Sequence, residues 1–127
     1  MGTLTVKALA YVEWISRPAR RELLSLLHDE VAKECEAESR EAKSKSKAHP
    51  RPNVNVIVGS KIRVSEIAVV QMLKGEYACS NETLRKIIDA AHGYAPEKTK
   101  TIIAKDLEKA QTKIQAAIES LRNNGNS

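Results

Sequence analysis

One stretch narrows the choice of fold more than any other: Asn55 to Tyr77, NVIVGSKIRVSEIAVVQMLKGEY. Val58, Ile62, Val69 and Met72 fall at helical spacing, so a helical backbone turns them to one side and leaves polar neighbours on the other. Gly59 leaves room for a crossing helix, Ser65 is a good cap for a second helix, and Gly75 is placed to end it. The stretch therefore predicts two short helices joined by a tight turn. Its β-branched density leaves a second local reading open. Val54, Val56 and Val58 fall at alternate positions, with polar residues on one side, Gly59-Ser60 suits a two-residue turn, and Lys61 to Val64 would return as a second strand leading into a helix.

The pattern of a small residue at Gly59, apolar Ile62 and Val64 around the turn, Ser65 opening a helix, and V-x-Q-M-L-K-G-E-Y from Val69 to Tyr77 resembles a known motif. It is similar to the helix-turn-helix of the Cro and lambda-repressor-like DNA-binding proteins, and most similar to the short versions in regulators of transposable, Mu-like phages. The likeness covers roughly a fifth of the chain, or about a third when Ala78 to Gly93 is included as the helix packed behind. One departure is Arg63, which stands where the family usually has glycine at the turn.

The resemblance implies that residues 65–73 form a recognition helix lying in a major groove. By position, Glu66, Ile67 and Gln71 match the family's base-facing sites. Gln71 would pair with an adenine edge, Glu66 accept from cytosine, and Ile67 lie against a thymine methyl. Lys61, Arg63, Ser65 and Lys74 would contact phosphate or set the helix in place, while Val69 and Met72 belong to the core. Plainer roles stand beside these. Glu66 also suits the positive end of a helix, Gln71 suits any surface, and Tyr77 suits packing at the turn.

Charge supports a nucleic-acid partner. The net charge is +5, but residues 43–77 hold seven Lys/Arg against two Asp/Glu, while residues 1–42 hold six against eight. A basic cluster of this kind adds affinity for duplex phosphate without specifying sequence. Within it, residues 43–53, KSKSKAHPRPN, combine small polar residues, bases and two prolines and cannot bury enough surface to fold alone. They read as a linker, either a passive tether or an arm whose Lys43, Lys45, Lys47 and Arg51 lie along phosphates or enter a minor groove.

The rest of the chain is helical in pattern. Leu4, Val6, Leu9, Val12, Trp14 and Ile15 suggest a short helix over about Thr5 to Ser16. Ser16 and Pro18 then open another, in which Leu23, Leu24, Leu26, Leu27, Val31, Ala32 and Cys35 form a wide apolar face. Past Cys35 the large apolar residues stop, so that helix should run on into solvent and fray. Ser80 and Asn81 offer the next cap, Leu84, Ile87, Ile88 and Ala91 the next stripe, and Gly93 its end. From Pro96 onward Ile103, Leu107, Ala110, Ile114, Ala117 and Leu121 make a heptad seam. So short a seam needs something to pack on, either its own N-terminal helices or, as the favoured reading, the same helix of a second copy.

These elements add up to an all-α fold, a helix-turn-helix core of about five helices with a long C-terminal helix. The expected divisions are an N-terminal helical segment (1–42), the basic linker (43–53), a DNA-binding core (54–94) and a dimerising helix (95–127). With no Phe, one Trp and three Tyr, the core must be built from Leu, Ile, Val and Ala, and base stacking on aromatic platforms is disfavoured. Cys35 and Cys79 belong to no metal-binding or redox spacing and read as free thiols. No apolar run suits a membrane span, and a bacterial or phage-infected host cytoplasm is the expected location. His28, His49 and His92 are scattered, and the acidic run from Glu34 to Glu41 reads as a charged helix face. No enzyme, cofactor, metal or small-molecule substrate is expected. The function expected is a homodimeric, sequence-specific regulator of transcription on double-stranded DNA. Two alternatives are a protein-interaction adaptor that reuses the motif as scaffold and an accessory DNA-binding protein of transposition.

Overall fold

The structure is a computed structural model that describes residues 12–44 and 53–125, with side chains over 12–38 and 53–123. Among these residues the chain is all helical, with a 3-10 turn at Val12–Trp14 followed by five α-helices. They are α1 (Arg17–Ser44), α2 (Val54–Ile62), α3 (Glu66–Lys74), α4 (Asn81–Tyr94) and α5 (Pro96–Gly125). The hairpin reading of residues 54–64 is overturned, because Val54 to Ile62 is one continuous helix. Its β-branched residues are tolerated because Val58 and Ile62 are fully buried, and packing outweighs propensity.

The first four helices each begin where a side chain satisfies an open N–H group. Ser16 Oγ accepts from the Ala19 N–H at 3.3 Å, Asn53 Oδ1 from the Asn55 N–H at 3.0 Å, Ser65 Oγ from the Ala68 N–H at 3.1 Å, and Ser80 Oγ from the Thr83 N–H at 3.2 Å. α3 ends at Gly75 as the spacing suggests, but α4 does not end at Gly93: it runs through that residue, which has open space where a side chain would be, and stops at Ala95, just before Pro96, where the backbone is no longer helical (φ −143°, ψ 76°). Of the N-terminal helix expected over Thr5 to Ser16, only the end falls among the described residues, and it is a 3-10 turn rather than α-helix. α1 keeps its helical form as far as Ser44, two residues into the stretch read as a linker.

A single core forms from all of these elements. Leu23, Leu24, Leu27 and Val31 of α1 are buried together with Val58 and Ile62, Val69 and Met72, and Leu84, Ile87, Ile88 and Ala91. Each fully buried aliphatic side chain here contributes about 1.5–3 kcal/mol. α1 touches every other α-helix, so the leucine-rich segment is the support on which α2, α3 and α4 are assembled. Arg20 ties the start of α1 into that assembly. Its guanidinium donates to the carbonyls of Ile15, Val12 and Cys79 and to Asn81 Oδ1, at 2.8–3.1 Å.

α5 is supported over only half its length. Thr99 is buried, Ile102 and Ile103 pack on the core, and Asp106 accepts from both the backbone N–H and the hydroxyl of Ser16. Leu107 and Ala110 are half-buried, and every residue from 111 to 123 is exposed.

Candidate nucleic-acid interface

The turn between α2 and α3 is three residues long, and its geometry depends on Gly59. A Cβ on Gly59 would stand 2.6 Å from the carbonyl oxygen of Val64. The space is therefore needed by the turn's own backbone, which folds under α2, and not by a crossing helix. The chain reverses at Arg63, which adopts the left-handed conformation (φ 58°, ψ 48°) with its N–H on the Gly59 carbonyl. Arginine takes the conformation that glycine favours, and the turn closes without glycine at that point. Val64 N–H follows onto the same carbonyl at 2.9 Å.

The turn sets α3 with two distinct faces. Val69 and Met72 are buried, with Ala68 and Leu73 half-buried beside them. Residues 66, 67, 70, 71 and 74 follow the i, i+1, i+4, i+5, i+8 pattern of the opposite face. There Glu66 and Lys74 are exposed, Ile67 is 69% exposed, and Val70 and Gln71 are half-buried. All three residues expected to meet bases thus share one face of one helix. Val70 joins them, a position that sequence spacing alone did not single out.

Glu66 is not left loose. Asn53 Nδ2 donates to Glu66 Oε1 at 2.8 Å while its Oδ1 caps α2, so one side chain binds the N-termini of α2 and α3 together. One carboxylate oxygen of Glu66 remains for another donor. At the far end of α3, Gly75 caps the helix in the left-handed conformation (φ 80°) and Arg21 Nε donates to the Leu73 carbonyl at 2.6 Å. Neither Asn53 nor Arg21 had a recognisable signal in the sequence, because each acts on a residue far from it along the chain.

The residues expected on phosphate divide into groups. Arg63 is exposed on the turn, Lys74 is exposed at the end of the outward face, and Ser65 is exposed with its oxygen accepting the capping bond of α3. Lys61 is directed elsewhere: its ammonium lies 5.4 Å from the centre of the Tyr94 ring, in a hollow also lined by Glu34, Lys86 and Asp89. No α3 residue lines that hollow. Lys43 lies in the last turn of α1 without a described side chain, and Lys45, Lys47 and Arg51 lie outside the described residues. The described chain resumes at Asn53, directly against Glu66.

No group of three metal-ligating side chains occurs among the described residues, and no described helix is long and apolar enough to cross a membrane. His92 is buried with both ring nitrogens unpartnered, while His28 sits on α1, half-buried, 3.9 Å from Asp29. The chain matches no protein-family model, no curated protein and no solved structure.

Proposed function

We propose that this chain is a sequence-specific, double-stranded DNA-binding regulator of transcription that reads the major groove with α3. The observation that carries the reading is the division of α3. Its aliphatic side is clamped by Val69 and Met72, and its other side presents Glu66, Ile67 and Lys74 exposed to solvent with Gln71 half-buried among them. A rigid helix offering a carboxylate, a carboxamide, an aliphatic group and a lysine on one face has the chemistry to distinguish base edges. Arg63 and Lys74 flank it with positive charge, in the segment of the chain richest in Lys and Arg. An origin in a phage or mobile element, and action as a homodimer, follow from the resemblance and from the seam on α5.

The exposed Ile67 also suits a protein partner, which is the adaptor reading. Salt separates the two: affinity for unrelated duplex falls steeply with salt in the DNA reading, and is negligible at any salt in the adaptor reading.

The decisive experiment is selection of bound sequences from a random duplex pool, with wild type and two variants. Gln71→Ala relaxes preference at one base position and costs about 1–3 kcal/mol on the selected site, whereas Lys74→Ala weakens all sequences alike and lowers the salt slope by about 1. Equal effects of both changes on specific and random duplexes would remove the assignment.

A further inference from the structure

The outer half of α5 holds an apolar stripe that nothing in the described chain touches. Ile114 is 60% exposed, Ile118 37% and Leu121 71%, and Ala117 lies between them. The stripe prolongs the line of Ile103, which packs on the protein's own core, and of Leu107 and Ala110, which are half-buried. We infer that this stripe pairs with the same stripe of a second copy, with the two helices antiparallel and overlapping only through residues 111–123. The inference deepens the homodimer named above by giving its interface and direction, and it rests on the geometry of α5 alone.

Direction follows from where the domain sits. Over the first half of α5, the side bearing the stripe is occupied by α1 and α4. In a parallel pair, the partner's α5 would have to run through that occupied space. In an antiparallel pair centred near residues 117 and 118, the partner's helix leaves beyond the free C-terminal end and its domain lies clear of the first. Two copies of Ile103 would then be about 44 Å apart along the helices at 1.5 Å per residue. The two domains do not meet, and the contact consists of α5 alone.

The stripe is complementary to itself in this arrangement. Ile114 of one copy lies opposite Leu121 of the other, and Ala117 opposite Ile118, so that small meets large at the centre and large meets large on either side. No charged residue interrupts the stripe, but this register sets Lys113 of one copy opposite Arg122 of the other, so two like-charge pairs at the margins weaken the contact. The area sets the strength. Three partly exposed aliphatic residues offer roughly 300 Å² per copy, so a pair buries less than the ~1,200 Å² of a standard interface. A weak, concentration-dependent pair is the consequence, one that two half-sites on the same duplex would reinforce.

Sedimentation of the full chain over roughly 1 to 500 µM tests association without DNA. The expected result is a shift from monomer toward dimer with rising concentration, abolished in Ile114→Glu/Leu121→Glu while the helical circular-dichroism signal and Tm are kept, because both side chains are outside the core. Direction is read by cysteine pairing, the native Cys35 and Cys79 being buried. Ala117→Cys, near the twofold axis, forms a disulfide-linked dimer under mild oxidation and Leu121→Cys does not, its partner lying about 10 Å along the helix. Pairing through Leu121→Cys, with or without pairing through Ala117→Cys, would overturn the antiparallel geometry, because a parallel pair sets each seam residue against its own counterpart. A monomer at every concentration would overturn the pairing, as would a lowered Tm in the double glutamate variant, which would mean that the chain covers the stripe itself. None of these results touches the assignment of α3, whose test is DNA selection.

Discussion

Gly59 and Gly93 are the same residue put to opposite uses, and the difference is measurable. A methyl group at Gly59 meets the Val64 carbonyl at 2.6 Å, and that oxygen belongs to the turn backbone that orients α3. Gly59→Ala should cost about 2 kcal/mol or more, read as a lowered urea midpoint. At Gly93 there is nothing within 4 Å and the residue is helical, so Gly93→Ala should stabilise by about 0.5–1 kcal/mol. Arg63 adds a case in which stability and binding part company. Its left-handed backbone is strained for any side chain but suits glycine, so Arg63→Gly should leave stability unchanged or raise it by up to about 1 kcal/mol. If its guanidinium contacts phosphate, the same change lowers affinity for duplex DNA and flattens its salt dependence, as titration at two salt concentrations would show.

Among the elements, α5 changes character along its length. Through about Leu107 it is held by Thr99, Ile102, Ile103 and the Ser16–Asp106 bonds, and beyond Ala110 every residue with a described side chain is exposed. A helical extension without packing is close to the limit of what water allows. Amide hydrogen exchange in dilute protein should therefore be at least about a hundredfold faster over residues 112–125 than over 99–107. Raising the protein concentration should slow the first group and leave the second unchanged. This division also shows what the sequence could tell. The heptad spacing of Ile103 to Leu121 was plain, but which part faces its own core depends on where α1 and α4 end in space, and periodicity carries no information on that. The same holds for α2, where valines at alternate positions suited a strand and burial against α1 decided for a helix. The cap residues Ser16, Ser65 and Ser80 and the inward Val69 and Met72 were legible because capping and period are local. Asn53 gripping Glu66 was not, because residues 53 and 66 are brought together by the turn.

At the scale of the whole molecule, one polar junction ties the start of α1 to the chain between α3 and α4, and its chemistry makes stability depend on pH. Arg20 reaches from α1 to the Cys79 carbonyl and to Asn81 Oδ1, bridging the chain between α3 and α4. Beside it the Cys79 thiol is buried, and burial pushes its pKa above the ordinary value, partly offset by the neighbouring Arg20 charge. Burial also raises Cys35, helped by Glu38 and Glu34. In the unfolded chain both thiols ionise near their usual pKa of about 8.5, while in the folded protein they stay neutral to higher pH. The stability they contribute is therefore complete below that unfolded value and is lost as pH rises through the folded one. Urea unfolding at intervals from pH 7.5 to about 10 should show this decline. Cys79→Ala should make it shallower, since alanine has no proton to lose in either state. The variant also loses the sulfur's packing, so its midpoint at pH 7.5 should lie below wild type, and the two curves should approach each other as pH rises. If they stay parallel, the alkaline decline comes from groups other than this thiol, and the junction at Arg20 is held by its hydrogen bonds to backbone carbonyls and Asn81.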